Sequence, residues 1–375
     1  MFAKSLSALL LLCLGSLTAS ALAQPITLTD VTGREVVLPK PAERVILADS
    51  RALQALQIVT PADPFKSIIA WDNSLKTKAP DLFALYRKTY PQLDKLPMLE
   101  NAYLSDFSVE KTVTMRPDLI IFDAGVQARL AESGVLTQLG KIGIPVVFID
   151  FRLHPLTNTV PSIRLLGQAL DGEKRAETFI SFYQSRLDMI NKRVSTLSEA
   201  QKPRGFIERH AGMTGEECCF TFGKGSFGEF IDVAGGVNLG SALFAGKSGT
   251  INLEQLITSK LDAYLLTGAD WSDTFKQSIG VPLGYNADAA LSAQRLTQLM
   301  ARNGVNLLEP VKKGRVMAIY HQYYDSPLNL FAIEAIAKFL HPQLFDDLDP
   351  QADLERVHKE FLAQPYHGLF WLTAK

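Results

Sequence analysis

The sequence FSVEKTVTMRPDLIIF at residues 107–122 aligns without gaps on INLEQLITSKLDAYLL at residues 251–266, at a constant offset of 144. Each copy reads as an apolar residue, a polar cap, a glutamate, a short amphipathic helix and an aspartate ahead of an apolar strand. A chain that writes one supersecondary unit twice is constrained to two lobes that share a plan.

The strands around these units are of one kind. Arg44-Val45-Ile46-Leu47, Ile68-Ile69-Ala70-Trp71, Leu119-Ile120-Ile121-Phe122 and Val146-Val147-Phe148-Ile149 are apolar runs separated by helical patterns. Such runs belong to strands buried on both faces of a parallel sheet in an α/β layer. Ahead of them the alternation around Gly33 predicts a small hairpin, and Ser50 is placed to cap a helix through Leu53, Leu56 and Val59. From Pro155 to about Leu197 the apolar period changes to 3.6, with a break at Asp171-Gly172. The part from Glu173 onward spans about 35 Å at ~1.5 Å per residue, enough to join two lobes. Pro203 ends it, and a second α/β pattern opens with Gly205-Phe206-Ile207-Glu208. The residues point to an α/β fold, with two lobes of mainly parallel sheet joined by a long α-helix. Its divisions are a signal peptide at 1–23, an N-terminal lobe at 24–154, a helical region with the connector at 155–202 and a C-terminal lobe at 203–375.

Residues 1–23 carry Lys4, an apolar stretch from Leu6 to Leu17 and the ending Ala21-Leu22-Ala23, the pattern of a cleaved secretory signal. Leu12 before Cys13 disfavours a lipid anchor, and no later stretch approaches the ~20 apolar residues of a membrane span. Export permits disulfides, yet Cys218 and Cys219 are adjacent and can close only a strained ring. A vicinal disulfide and two quiet thiols both remain open. With 38 Lys+Arg against 39 Asp+Glu and no single-sign run, nucleic acid is not an expected partner. Gly223-x-Gly225-x-x-Gly228 matches the dinucleotide fingerprint in letters, but the apolar run before it ends near Glu208-Arg209, too early for that motif. No G-x-S-x-G occurs, neither cysteine has a histidine partner in sequence, and no catalytic residue is expected. The histidines at 154, 210, 321, 341, 358 and 367 are scattered, so no protein metal site is expected and most read as surface or capping residues.

The opening TLTDVTGREVVLPKPAERVI, the pair FSVEKTVTMRPDLIIFD and INLEQLITSKLDAYLLTG, the segment GEFIDVAGGVNLG and the ending SPLNLFAIEAIAKFLHPQLF resemble periplasmic substrate-binding proteins of ABC importers. The branch is that for ferric siderophores, haem and cobalamin, and the similarity covers nearly the whole mature chain. The resemblance implies two Rossmann-like lobes joined by one long helix, a bulky chelate in the cleft and little movement on binding. It implies a monomer that catalyses nothing, delivers a ferric-siderophore-like small molecule to ABC permease subunits, and has no cofactor, iron arriving only inside the chelate. A haem or cobalamin receptor is the alternative on the same scaffold, with Tyr323, Tyr324, His210 or His321 as an axial ligand to haem. A secreted enzyme using Cys218 or Cys219 is the alternative from another class. The resemblance also gives Glu110 and Glu254 a role, since corresponding glutamates grip arginines of the two permease subunits. Their structural alternative is a first-turn carboxylate favoured by the helix dipole.

In open α/β sheets ligands collect beyond the carboxyl ends of the strands. That rule selects Ser50 and Arg51, Trp71 and Asp72, Arg152, Arg209 and His210, Trp271, and His321 with Tyr323 and Tyr324. Arginine offers fixed donors to an anionic chelate, and the aromatics offer flat apolar faces. Trp71 and Trp271 have an alternative as core residues near the hinge, and Arg51 as partner of an acid on its own lobe. Arg209-His210 is the sharper signal, two cationic candidates at the end of a buried strand.

Overall fold

A computed structural model describes residues 24–103, 106–362 and 364–374, so the expected signal peptide lies outside the described residues. The N-terminal lobe is built on a sheet of β3 (Val45–Leu47), β4 (Ile68–Asp72), β5 (Met98–Leu99), β6 (Leu119–Asp123) and β7 (Val146–Ile149). Every pairing in it is parallel and the order is β5-β4-β3-β6-β7. This doubly wound order reverses direction between β3 and β6, which opens a crevice at their carboxyl ends. All residues of β3, β6 and β7 are buried, as continuous apolar runs require. The hairpin of β1 (Ile26–Thr29) and β2 (Glu35–Leu38) is tied to β7 through Asp30, whose Oδ2 accepts from Phe148 N at 3.2 Å.

The second lobe repeats the plan with a mixed sheet. Its centre is three parallel strands, β8 (Arg204–Glu208), β12 (Ala263–Gly268) and β14 (Val316–Tyr320). Around them β9 (Phe220–Phe222) returns antiparallel to β8, β10 (Val237–Asn238) pairs parallel to β8, and β11 (Ser248–Thr250) pairs antiparallel to β9. A separate pair joins β13 (Gly284–Tyr285) to β15 (Gly368–Leu369), and β16 (Trp371–Thr373) closes the edge antiparallel to β14. The expected fold class holds, with antiparallel pairing limited to the β1–β2 hairpin of the first lobe and the flanks of the second.

The repeated unit takes the same form in both lobes. Ser108 caps the Val109–Met115 helix and Asn252 the Leu253–Thr258 helix, each side chain accepting from the backbone N–H three residues on. Asp118 accepts from Arg44 N at 2.9 Å while its own N–H reaches Arg44 O; Asp262 does the same with Arg204. The aspartate ahead of each apolar run thus fixes the start of the neighbouring strand. At β3 the cap is Asp49 rather than the expected Ser50: Asp49 accepts from Arg51 N, and a single 3-10 turn precedes the Leu53–Val59 helix. Ser50 instead accepts from Leu75 N at 2.8 Å and gives its own N–H to Asp72.

Helices Pro155–Ala169 and Glu173–Val194 follow β7, with the break at Asp171-Gly172. The second is the connector, about 33 Å long at ~1.5 Å per residue. Near its start Arg175 reaches both Ile58 O and Glu360 O, and near its end Arg193 pairs with Asp347 through two bonds of 2.5 and 2.8 Å. No helix among the described residues is long and apolar enough to cross a membrane.

Candidate ligand-binding site

The strand ends of the two lobes face one another, and the side chains there form two groups. The first is charged. Asp49 after β3, Asp123 at the end of β6 and Asp325 after β14 bring carboxylate oxygens within 4.8 Å of one another. Arg51 lies among them: its Nη2 is 2.6 Å from Asp49 Oδ2 and its Nη1 2.7 Å from Asp325 Oδ2 on the opposite lobe. Arg51 also donates to the Tyr324 hydroxyl. Arg152 contacts Asp123 at 3.1 Å and covers the Tyr103 ring at 4.2 Å, while the Tyr103 hydroxyl donates to Asp123. Burial opposes ionisation of Asp49, but Arg51 overrides it and holds that carboxylate below its usual range. Asp123 is pushed well above its usual range by burial and by Asp325 and Asp49, and Asp325 is raised chiefly by burial.

The second group is aromatic and lies on the C-terminal lobe. His210 follows β8 and His321 follows β14, and their Nε2 atoms stand 3.0 Å apart. Thr267, near the end of the intervening strand β12, accepts the His210 backbone N–H at 2.9 Å and bonds His321 Nδ1 at 3.0 Å. Trp271 meets both imidazoles edge to face, with centroids 5.9 and 5.8 Å away, and the Tyr324 ring lies 4.6 Å from that of His321. Arg209 stands over Phe220 at 5.2 Å and Phe222 at 5.0 Å. Its Nε has no hydrogen-bond partner, and among the described residues it makes no ion pair. Burial lowers Arg209 and pulls His210 down to about 3, so His210 is neutral near pH 7. The expectation of two cations at the end of β8 is corrected to one, because a desolvated imidazole beside a guanidinium sheds its proton.

Of the residues the strand-end rule selects, Arg51, Arg152, Arg209, His210, Trp271, His321 and Tyr324 are brought together. Trp71 and Tyr323 are not. Trp71 is 1% exposed inside the N-terminal core against Phe65 and Phe83, the place its core alternative describes. Tyr323, also 1% exposed, packs on Tyr320 and Phe370 instead. Ser50 and Asp72 bond each other behind the charged group, where burial and Asp49 raise Asp72 to about 6. The acids Asp49, Asp123 and Asp325 went unselected, although the same rule reaches them, because an anionic ligand directs attention to cations. Glu110 and Glu254 are exposed, each the second residue of its helix and remote from the cleft. A cavity of about 380 Å³ lies beside Glu110 and one of about 750 Å³ beside the start of the connector; neither touches the two groups.

Cys218 and Cys219 are joined as a vicinal disulfide in the turn between β8 and β9. A three-residue strand, β9, does precede Gly223 directly, contrary to expectation, because it is held by pairing with β8 and β11 and not by an apolar run. It runs antiparallel to β8, unlike the first strand of a dinucleotide unit. Gly225, at φ +105°, sits where a Cβ would lie 2.7 Å from Leu153 O of the first lobe, so the glycine permits contact between lobes.

A family model described as periplasmic binding protein matches residues 58–323. Among curated proteins, an uncharacterized ABC transporter substrate-binding lipoprotein of Bacillus subtilis, YvrC, is 20% identical over 294 residues, 77% of this chain and 84% of that one. Among solved structures, the TroA-like periplasmic binding protein FepB of Veillonella parvula superposes with a TM-score of 0.85 at 28% identity, covering 94% of this chain and 100% of the other. The molybdate periplasmic binding protein MolA of Haemophilus influenzae, solved with molybdate, superposes at 0.68 with 17% identity over 91% of this chain and 99% of its own.

Proposed function

The chain belongs to the periplasmic binding protein family, as a substrate-binding component of an ABC transporter, and from that premise we propose that its cargo is an anionic metal chelate of the ferric-siderophore class. The observation that carries this reading is Arg209. Arg51 is paired with Asp49 and Asp325 and Arg152 touches Asp123, whereas Arg209 is half-buried on two phenylalanines with no carboxylate beside it among the described residues. A desolvated cation without a counter-ion is costly, and an anionic ligand removes that cost. Trp271, Phe220 and Tyr324 supply the apolar faces such a ligand framework needs. The protein is exported to the periplasm by a cleaved signal, acts as a monomer and presents Glu110 and Glu254 to the two permease subunits. It catalyses no reaction: Cys218 and Cys219 are bonded to each other, so neither is a thiolate nucleophile.

The test uses Trp271 as reporter. Purified protein is titrated with ferric hydroxamates, ferric catecholates, ferric citrate, haem and cobalamin, following tryptophan fluorescence. Saturable quenching by a ferric chelate, lost in Trp271→Phe, is expected. Binding of haem alone, seen as a Soret band, moves the cargo to the haem class, and silence toward the whole panel overturns the chelate reading.

A further inference from the structure

We propose that His210 and His321 form a two-imidazole clamp that takes two adjacent coordination positions on a metal ion whose chelator leaves them open. The inference rests on the receptor reading and deepens it, since the cargo is then held by metal–nitrogen bonds as well as by the charge of Arg209.

The geometry carries it. Imidazole binds a metal such as zinc at about 2.0–2.1 Å, so two imidazole nitrogens at right angles on one ion stand about 2.9 Å apart. The Nε2 atoms of His210 and His321 are 3.0 Å apart, on rings inclined by 53° with centroids 4.4 Å from each other. The rings come from the ends of β8 and β14, two strands separated only by β12, and β12 supplies the supporting hydroxyl. Thr267 Oγ1 holds the far nitrogen of His321 and the backbone of His210, which is the outer contact that fixes a metal-binding histidine. His210 holds a left-handed backbone at φ 57°, a conformation a non-glycine residue keeps only when its surroundings insist. The hydrogen bond between the two Nε2 atoms breaks, and its proton moves to the other nitrogen of the same ring.

The same geometry limits the cargo. The axial ligands of a haem lie on opposite faces of the iron, about 4 Å apart at these bond lengths, so at most one of the two histidines can serve haem. A fully saturated chelate offers the pair nothing. The clamp selects a partly unsaturated complex with two neighbouring open positions, filled by water until the imidazoles displace it.

Two nickel complexes separate the cases, with protein carrying no affinity tag. Nickel(II) nitrilotriacetate has two adjacent open positions, and nickel(II) ethylenediaminetetraacetate has none. One nitrilotriacetate complex is expected to bind per chain, with a visible-band shift marking two new nitrogen ligands, and the saturated complex is expected not to bind. His210→Ala should weaken binding about tenfold or more, with thermal unfolding measured alongside to show that the variant keeps its fold. His321→Ala should do the same, and if it fails to fold, His210→Ala decides alone. Equal binding of the two complexes, or full binding by His210→Ala, overturns the clamp. If saturated ferric chelates bind while nickel nitrilotriacetate does not, the clamp falls and the receptor reading stands; if neither class binds, both fall.

Discussion

Three arginines reach the cleft from strand ends, and what distinguishes them is the company each keeps. Arg51 and Arg152 face aspartates, and Arg51 holds Asp49 ionised; Arg209 faces two phenyl rings. Arg209→Ala should therefore weaken an anionic chelate by about 1.5–3 kcal/mol, the worth of a charge-assisted bond in a desolvated site. Arg152→Ala should cost less, and Trp271 quenching measures both. The arginines were legible in the sequence because they follow apolar runs. The contact of His210 with His321 was not, since 111 residues separate them and only the sheet order brings them together. A second residue-scale effect lies where the Asn329–Leu340 helix packs on the connector. Glu334 is fully buried, neither carboxylate oxygen has a hydrogen-bond partner, and Arg186 Nε stands 3.3 Å away. Burial outweighs Arg186 and raises this carboxyl to about 8. Its folded value lies above its unfolded one, so the stability it contributes is complete below about pH 4.5 and is lost as pH rises toward 8, at up to about 1.4 kcal/mol per pH unit. Glu334→Gln should remove that slope in denaturant unfolding measured across the window. A difference between wild type and variant that stays flat with pH would show Glu334 ionised throughout.

At the scale of elements, the capped helix and its aspartate are the unit the chain uses twice. Asp118 and Asp262 fasten β3 and β8 by the same pair of backbone bonds, and the helices before them hold Glu110 and Glu254 outward at the same step of the first turn. A carboxylate there gains only ~0.3–1 kcal/mol from the helix dipole, too little to require it in both lobes. Glu110→Lys and Glu254→Lys together should abolish cargo uptake in reconstituted vesicles while ligand affinity and thermal stability stay at wild-type values. Normal uptake would return both residues to helix capping. The elements legible in sequence were those with a long signal, such as β6, β7 and the connector. Those missed are two or three residues long: β9 starts at a Phe220 that is 36% exposed, and β11 reads Ser-Gly-Thr. Such strands exist because a neighbour pairs with them, which no local pattern records.

For the whole molecule, the lobes are tied at more points than the connector alone. Gln54 of the first lobe donates to the Tyr285 hydroxyl of the second and accepts from Ser326, and Asp81 accepts from the Tyr320 hydroxyl and Tyr285 N. Binding should then change the distance between spin labels on Lys111→Cys and Lys260→Cys by less than the width of the unbound distribution, measured by pulsed dipolar spectroscopy. A clear shortening would mean hinge closure. Two lobes and a joining helix were legible from the repeat and the change of period; the cross-links were not, because Gln54, Asp81 and Ser326 resemble any other surface polar residue until the lobes meet. This rigidity has a consequence for traffic at the membrane. If the outward glutamates keep their spacing whether or not the cleft is full, a transporter that reads only that spacing cannot tell a laden carrier from an idle one. Idle carriers then queue at the same gate, and making more receptor than cargo slows import, unless the gate also senses what lies in the mouth of the cleft.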